Sequence, residues 1–222
     1  MIKYFLIKRK LKNRRIIVTA GGTIERIDPV RFIGNFSSGK MGIEIAKAFR
    51  KYSKNVFLIY GNVSYKIPKN IFAEKALTPF EMFKKIKEYL TEDSILIMSA
   101  AVSDFKVLKV HRKKIKKKKR INLTLVPEID ILKELSKLKS EKNFFVGFAV
   151  ETENFIKNAK RKLIEKKLDM IILNPIDKEN YPFGSDYNKV FIIDKNSIIK
   201  LPKEKKSFIA KIILKRIADE IK

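Results

Sequence analysis

Short apolar runs alternate along the chain with amphipathic stretches whose apolar residues recur at helical spacing. The apolar runs predict strands at Arg15–Thr19, Asn55–Tyr60, Ile71–Ala76, Ser94–Ser99, Ile121–Leu125, Phe144–Phe148, Met170–Leu173 and Lys189–Ile193. The amphipathic stretches predict helices at Lys40–Lys51, Pro79–Leu90, Asp130–Leu138, Thr152–Lys166 and Lys206–Ile221. This alternation predicts an α/β fold, a Rossmann-like three-layer sandwich with a mostly parallel central sheet.

Two segments interrupt the alternation. Gly21–Gly39 is too long for an ordinary turn between a strand and a helix, and long loops in compact domains are usually functional. Phe105–Arg120 is polar and rich in lysine, and it joins two predicted strands. We therefore expect a basic N-terminal extension over residues 1–14 and a single domain over 15–222, with a mobile lysine-rich arm at about 105–120.

Composition limits the chemistry that the chain can perform. It has 222 residues, of which 45% are hydrophobic, so it can bury a core. It has no cysteine and one histidine, His111, which excludes disulfides, a thiol nucleophile and a multi-histidine metal site. Catalysis must therefore rest on Lys, Arg, Asp, Glu, Asn, Ser or backbone amides. No apolar run is long enough to span a bilayer, so we expect a cytoplasmic protein without membrane contact.

The chain is strongly basic, with 51 Lys and Arg against 24 Asp and Glu and a net charge of +27. Most of these cations are lysines spread over the whole sequence, which indicates solvated surfaces and only non-specific nucleic-acid binding. The dense run Lys113–Arg120 leaves three interpretations open: a solvated loop, a nucleic-acid patch, or an arm that closes over a triphosphate.

The first predicted strand leads into two glycine-containing motifs. Gly21 and Gly22 follow Thr19-Ala20, where they allow either a close backbone approach to phosphate or a tight turn. In the next motif, Arg31 can clamp a carboxylate or phosphate, and Asn35 offers both a donor and an acceptor to an acyl group. A helix N-terminus with nearby hydroxyls and a cation predicts an anion site at Ser37, Ser38, Gly39 and Lys40, with one of the serines as the cap.

Small residues follow the apolar strand that ends near Met98. Ser99 and Ala100 leave room for a flat ring or a phosphate at the carboxyl end of a strand, where α/β folds bind ligands. Asp104, five residues beyond Ser99, can hold magnesium or a ribose, although an exposed loop aspartate is equally compatible with the sequence.

A later strand and helix carry three more candidates. Lys162 and Lys166 are four residues apart and share a helix face, which on its own is typical of a solvated surface. Phe148 would by default belong to the core.

Seven motifs in this order point to one family: VTAGGTIERIDPVRFIGNFSSGKMG, MSAAVSDF, KIKK, DIL, VGFAVET, AKRKLIEKKLDMIILN and FGSDYNKV. Together they resemble the phosphopantothenate–cysteine ligase family, the CoaB enzymes of coenzyme A synthesis, from about Arg15 to Lys211. The resemblance implies a Rossmann-like homodimer with the active site near the subunit interface.

The resemblance also implies the reaction. Members activate the carboxylate of 4′-phosphopantothenate with a nucleoside triphosphate, usually CTP in bacteria and otherwise ATP. The acyl-nucleotidyl intermediate then reacts with the amine of L-cysteine to give phosphopantothenoylcysteine, and Mg²⁺ is required. In many bacteria a flavin-dependent decarboxylase precedes the ligase. Residues 1–14 cannot hold that domain, so we expect no FMN.

Site residues follow from the motif matches. Asn35 matches the asparagine that handles the acyl intermediate, and Arg31 matches the arginine that supports it. Lys114, first in Lys-Ile-Lys-Lys, matches the arm lysine needed for nucleotidyl transfer, with Lys113, Lys116 and Lys117 as rivals. The nucleotide-binding positions implied are Met98, Ser99, Ala100, Asp104, Lys114, Asp130, Ile131, Phe148, Lys162 and Lys166, with Asp104 also the metal contact. The substrate or phosphate positions expected are Gly21, Gly22, Ser37, Ser38, Gly39 and Lys40.

Two other functions stay open on the sequence. One is an NAD(P)-dependent oxidoreductase, for which the Tyr-x-x-x-Lys pairs Tyr4/Lys8 and Tyr65/Lys69 are candidates. The chain lacks the GxGxxG fingerprint that such enzymes place after the first strand. The other is a nucleic-acid-binding protein that uses Lys113–Arg120.

Overall fold

Strands and helices alternate along most of the chain. A computed structural model describes residues 2–117, 120–177 and 180–221. In chain order the elements are α1 (Ile2–Leu11), β1 (Ile16–Ala20), β2 (Ile24–Arg26), β3 (Phe32–Gly34), α2 (Lys40–Arg50), β4 (Val56–Tyr60), β5 (Phe72–Lys75), α3 (Pro79–Tyr89), β6 (Ile95–Met98), β7 (Phe105–Val107), β8 (Leu125–Pro127), α4 (Ile131–Ser136), β9 (Phe144–Glu151), α5 (Phe155–Glu165), β10 (Met170–Pro175), β11 (Tyr187–Asp194), β12 (Ile198–Lys205) and α6 (Lys206–Glu220).

The central sheet has a topological switch point. Within the described residues its order is β12-β11-β10-β9-β6-β1-β4-β5. The strands from β10 to β5 pair in parallel, and β11 and β12 pair antiparallel at one edge. The chain moves outward from β1 to β5 and then returns to place β6 on the other side of β1. In such sheets ligands bind outside the carboxyl ends of the strands at this reversal.

Helices cover both faces of the sheet. One face packs against α1, α2 and α6, and the other packs against α3, α4 and α5, which gives two separate apolar cores. Every residue of β1 and β6 is buried, because both faces of these central strands meet helices. The predicted three-layer sandwich with a mostly parallel sheet is therefore confirmed.

Two short antiparallel ribbons stand outside the sheet, and here one prediction is wrong. The strand predicted at Ile121–Leu125 does not form. Instead β8 pairs with β7, and β2 pairs with β3. Ile121 and Leu125 are 47% and 44% exposed, so their apolar side chains do not join the core that the pattern suggested.

The basic N-terminal segment is helical and packs on α6. Leu11 is fully buried, and Lys10 Nζ donates to the carbonyl oxygens of Ala218 and Ile221 at 2.9 and 2.7 Å. These bonds satisfy carbonyls that the end of a helix leaves without partners. Across the described ranges, α1 included, no helix has the length and apolar character needed to cross a bilayer.

Candidate active site

A cleft of about 630 Å³ opens at the carboxyl edge of the sheet, at the switch point. Segments far apart in the sequence form its walls: Gly34–Gly42, Met98–Asp104, Glu128–Leu132 and Phe148–Val150. Side chains from the end of α5 and from the start of α6 complete it. The cleft thus brings together residues from both halves of the chain.

The start of α2 presents backbone amides to this cleft. The N-cap is Gly39 with φ 77°, and it makes no side-chain cap hydrogen bond, so the expected serine cap is wrong. Ser37 and Ser38 accept only long bonds, at 3.4 and 3.5 Å, from the amides two residues ahead. A Cβ at Gly42 would lie 2.4 Å from the Thr19 carbonyl oxygen, so this glycine lets α2 pack directly on β1. The positive end of α2 therefore faces the cleft, and its first turn contains no acidic residue.

Gly21 and Gly22 lie behind the cleft and are not part of its lining. The Gly22 N–H donates to the Asn62 carbonyl at 3.0 Å, and the Gly21 carbonyl accepts from the Ala101 N–H at 2.9 Å. Gly21 has φ 81°, and a Cβ there would lie 2.4 Å from the Asn62 oxygen. These backbone groups join neighbouring loops, so the two glycines hold together the segments that carry the cleft residues.

Hydrogen bonds fix the segment that follows β6. Thr19 Oγ1 accepts from the Ala100 N–H at 3.0 Å, and the Asn35 amide donates to the Val102 carbonyl at 2.9 Å. Asn35 is therefore tied to the wall that carries Met98, Ser99 and Ala100. Asp104 is exposed at the mouth of the cleft, and its carbonyl accepts from the Glu128 N–H at 2.9 Å.

The wall formed by α4 and α5 carries two ion pairs. Lys162 Nζ lies 2.7 Å from Glu151 Oε1, and Lys166 Nζ lies 2.8 Å from Asp130 Oδ2. Asp130 is also the N-cap of α4, with Ile131 buried behind it. Phe148 is half-buried and lines the cleft beside them. These nucleotide positions, implied by the resemblance, lie together.

The arm is attached to the β2–β3 ribbon by the buried Asp28. Its carboxylate accepts from the N–H groups of Val30 and Arg31, both at 2.8 Å, and of Ile115 at 3.1 Å. The Arg31 guanidinium lies 2.7 Å from the same carboxylate and donates to the Ile115 carbonyl at 3.3 Å. Burial raises the pKa of Asp28, but these N–H groups and the guanidinium outweigh it, so the pKa lies below its usual value.

This attachment leaves two expected catalytic residues outside the cleft lining. Arg31 binds the arm, and Lys114 is exposed next to the Ile115 clamp. Two lysines of the dense run, Lys118 and Lys119, lie outside the described residues. The candidate Tyr-x-x-x-Lys pairs are also absent from the cleft lining among the residues described.

Sequence reasoning missed the end of the cleft nearest α6. Asn174, Asn188, Phe183 and Lys206 line it, and we call this region the α6 end. Asn174 closes a buried strand, so the rule that sited Ser99 and Ala100 could have found it. Lys206 is one lysine among many, and its burial depends on how α6 packs, so the sequence carries no signal for it.

Charged side chains cluster around the α6 end. Lys40, at the start of α2, forms an ion pair with Asp186, and Tyr65 donates to the same carboxylate at 3.1 Å. The Asp186 hydrogen bond raises the pKa of Lys40. Burial, and then the charge of Lys40, lowers the pKa of Lys206 to about 8, while Asp186 acts in the opposite direction.

Comparison with known proteins gives matches that cover nearly the whole chain. The family model described as the DNA/pantothenate metabolism flavoprotein C-terminal domain matches residues 11–221. The coenzyme A biosynthesis bifunctional protein CoaBC of Borreliella burgdorferi is 39% identical over 218 residues, which are 97% of this chain and 55% of that protein. The chain therefore spans about half the length of this curated relative.

Solved structures share the fold. The crystal structure of the C-terminal domain of CoaBC superposes with a TM-score of 0.79 at 34% identity, covering 95% of this chain and 96% of that one. A Cab2 H337A mutant in complex with phosphopantothenate-cysteine has a TM-score of 0.71 at 17% identity, covering 99% of this chain and 92% of that one. At that identity the second likeness concerns the fold alone.

Proposed function

The chain belongs to the family of DNA/pantothenate metabolism flavoprotein C-terminal domains, to which the C-terminal domain of CoaBC belongs, and from this premise we propose that it is a phosphopantothenate–cysteine ligase. It would act in the cytoplasm and use CTP to join 4′-phosphopantothenate to L-cysteine. The observation that carries this proposal is the cleft itself, where Asn35, Asp104, Phe148, Lys162 and Lys166 converge at the switch point.

In the first step a carboxylate oxygen of phosphopantothenate attacks the α-phosphorus of CTP. A new P–O bond forms, the bond to the β-phosphate oxygen breaks, and pyrophosphate leaves. The α2 amides supply positive partial charge along the cleft, where the triphosphate would lie. Lys162 and Lys166 add ammonium groups that are shared with Glu151 and Asp130 and could also donate to phosphate oxygens. Asn35 orients the carboxylate. No histidine base is needed, since the attacking group is already an anion.

The residues at the cleft mouth fit a magnesium ion carried by the nucleotide. Among the described residues no group of three or more carboxylate or histidine side chains forms a closed metal site. Asp104 and Glu128 line the cleft singly, and Mg²⁺ commonly takes one or two carboxylates together with substrate phosphates. Bound there, the ion would neutralise phosphate charge, with Asp104 as its protein ligand.

In the second step the amine of cysteine attacks the acyl carbon of the intermediate. A C–N bond forms, the acyl C–O bond breaks, CMP leaves with that oxygen, and the proton lost by the amine passes to solvent. The Asn35 amide can donate to the acyl oxygen as its negative charge grows. Its bond to the Val102 carbonyl holds the amide group in one orientation for this task.

We further propose that the active protein is a homodimer formed through the two ribbons. Large apolar side chains on and beside β3 and β7 are exposed, including Phe32 at 50%, Phe105 at 53% and Leu108 at 63%. Such a patch is typical of a protein interface. Lys114 is next to Ile115, which is bonded to Asp28 and Arg31 beside the β2–β3 ribbon. Assembly through the ribbons would therefore bring the arm toward an active site at the interface.

Mass spectrometry of the product tests the proposal. The protein is incubated with 4′-phosphopantothenate, L-cysteine, CTP and Mg²⁺, and phosphopantothenoylcysteine is the expected product. The Lys114→Gln variant should lose pyrophosphate release, while the Lys109→Gln control, also exposed on the arm, keeps it. Absence of the product from folded wild-type protein, with CTP and with ATP, would contradict the assignment.

A further inference from the structure

Lys206 is a buried lysine whose side chain lines the cleft. It begins α6 and is only 5% exposed. Its Nζ donates to the Pro182 carbonyl at 2.9 Å. The other cleft lysines, Lys40, Lys162 and Lys166, each pair with a carboxylate. Within the part of the chain that the structure describes, Lys206 forms no ion pair.

Three features of this position disfavour a positive charge. Burial removes water from the ammonium group, the N-terminus of α6 carries a positive partial charge, and the charge of Lys40 opposes that of Lys206. Asp186 offsets part of this cost, although its carboxylate is bonded to Lys40 and Tyr65. An anion bound next to the Lys206 ammonium would stabilise this buried cation, and an anion can reach it through the cleft.

The neighbouring amides give the α6 end a fixed polar wall. Asn188 Nδ2 donates to Asn174 Oδ1 at 2.6 Å. Both residues are buried, with Asn188 2% and Asn174 6% exposed. A wall held by a buried hydrogen bond positions a ligand with little loss of side-chain entropy.

We propose that the Lys206 ammonium binds an anionic group of a substrate at the α6 end of the cleft. The inference rests on the ligase function proposed above and adds a binding residue to it. A phosphate of the nucleotide, the phosphate of 4′-phosphopantothenate and the carboxylate of cysteine offer the same chemistry: charged oxygens that accept from the ammonium.

Charge removal at this one position tests the proposal. Lys206→Gln keeps an N–H donor for the Pro182 carbonyl but removes the charge, and Lys206→Arg restores a charge. Lys215→Gln, at an exposed site on the same helix, is the matched control. Calorimetry gives the dissociation constants of CTP, 4′-phosphopantothenate and inorganic pyrophosphate, and steady-state kinetics give the KM for cysteine.

For one of these ligands we expect Lys206→Gln to weaken binding by about 10- to 100-fold, the range typical of a hydrogen bond to a charged group. The ligand affected identifies the source of the anion, Lys206→Arg should recover part of the loss, and Lys215→Gln should match the wild type. Dissociation constants and a cysteine KM that all stay within about twofold of the wild type would overturn the proposal. Because calorimetry needs no turnover, it tests the role of Lys206 even if no product forms. A protein that binds an anion more weakly as Lys206→Gln but makes no product would refute the ligase function and support the role of Lys206.

Discussion

The buried charge of Lys206 should make the free energy of unfolding depend on pH. Its pKa falls from the usual 10.5 to about 8, chiefly through burial. At about 1.36 kcal/mol per pKa unit, this difference corresponds to about 3.4 kcal/mol as an upper limit. Solvent that enters the open cleft screens the ammonium. We therefore expect the contribution of Lys206 to the free energy of unfolding to change by about 1–2 kcal/mol between about pH 7 and pH 10.

The sign follows from the protons that each state binds. Between about pH 8 and 10.5 the unfolded chain keeps its proton on Lys206 while the native protein has lost it. The free energy of unfolding therefore rises with pH across this window, and the cost of the charge is present in full below about pH 8. Lys40, Asp186 and Tyr65 face the same region, and both proteins contain them.

The assay is urea denaturation of the wild type and of Lys206→Gln at several pH values. We expect the unfolding free energy of the wild type, minus that of the variant, to increase by about 1–2 kcal/mol from about pH 7 to about pH 10. Subtracting the variant removes the contributions of groups that both proteins share. A difference that stays constant with pH would refute the reasoning that Lys206 is charged at a cost in the native state.

Three further predictions concern other parts of the protein. Asp28→Asn should loosen the arm and lower the rate of pyrophosphate release by about tenfold, equivalent to about 1.4 kcal/mol, while CTP affinity measured by calorimetry stays unchanged. Asn180→Ala should lower the free energy of unfolding by about 1–3 kcal/mol in a denaturant titration, because its amide donates to the Pro175 carbonyl at 2.5 Å; Asn196→Ala, at an exposed position, should have no effect. In light scattering, Leu108→Asp should have half the mass of the wild type, because the substitution separates the dimer into single chains. A wild type with the mass of one chain would contradict the dimer.

The sequence was most informative where burial on both faces of the sheet leaves a continuous apolar run. Strands β1, β6, β9 and β10 have such runs, and each lies close to its predicted position. Residues that follow these strands could be placed at the cleft for the same reason, since parallel strands present their carboxyl ends at one edge. The position of Ala100 follows from this rule, whereas Phe148 lies within β9 and was assigned to the nucleotide only by the family resemblance.

The sequence was least informative where apolar residues are exposed or polar ones buried. The edge strand β12 contains three exposed lysines and a proline and was not predicted. The ribbons have apolar residues that point away from the core, which led to the wrong strand at Ile121–Leu125. Lys206 could not be distinguished from the solvated lysines, because its burial comes from the way that α6 packs against the rest of the fold.

The central claim is that the cleft activates a carboxylate as an acyl-nucleotidyl intermediate. The most direct measurement uses 4′-phosphopantothenate labelled with ¹⁸O in its carboxylate, with CTP, Mg²⁺ and L-cysteine, and mass spectrometry of the phosphate-containing products. The account predicts that CMP gains one labelled oxygen and that pyrophosphate gains none, because the acyl C–O bond breaks in the second step. Label in inorganic phosphate, or an unlabelled CMP alongside product, would contradict it.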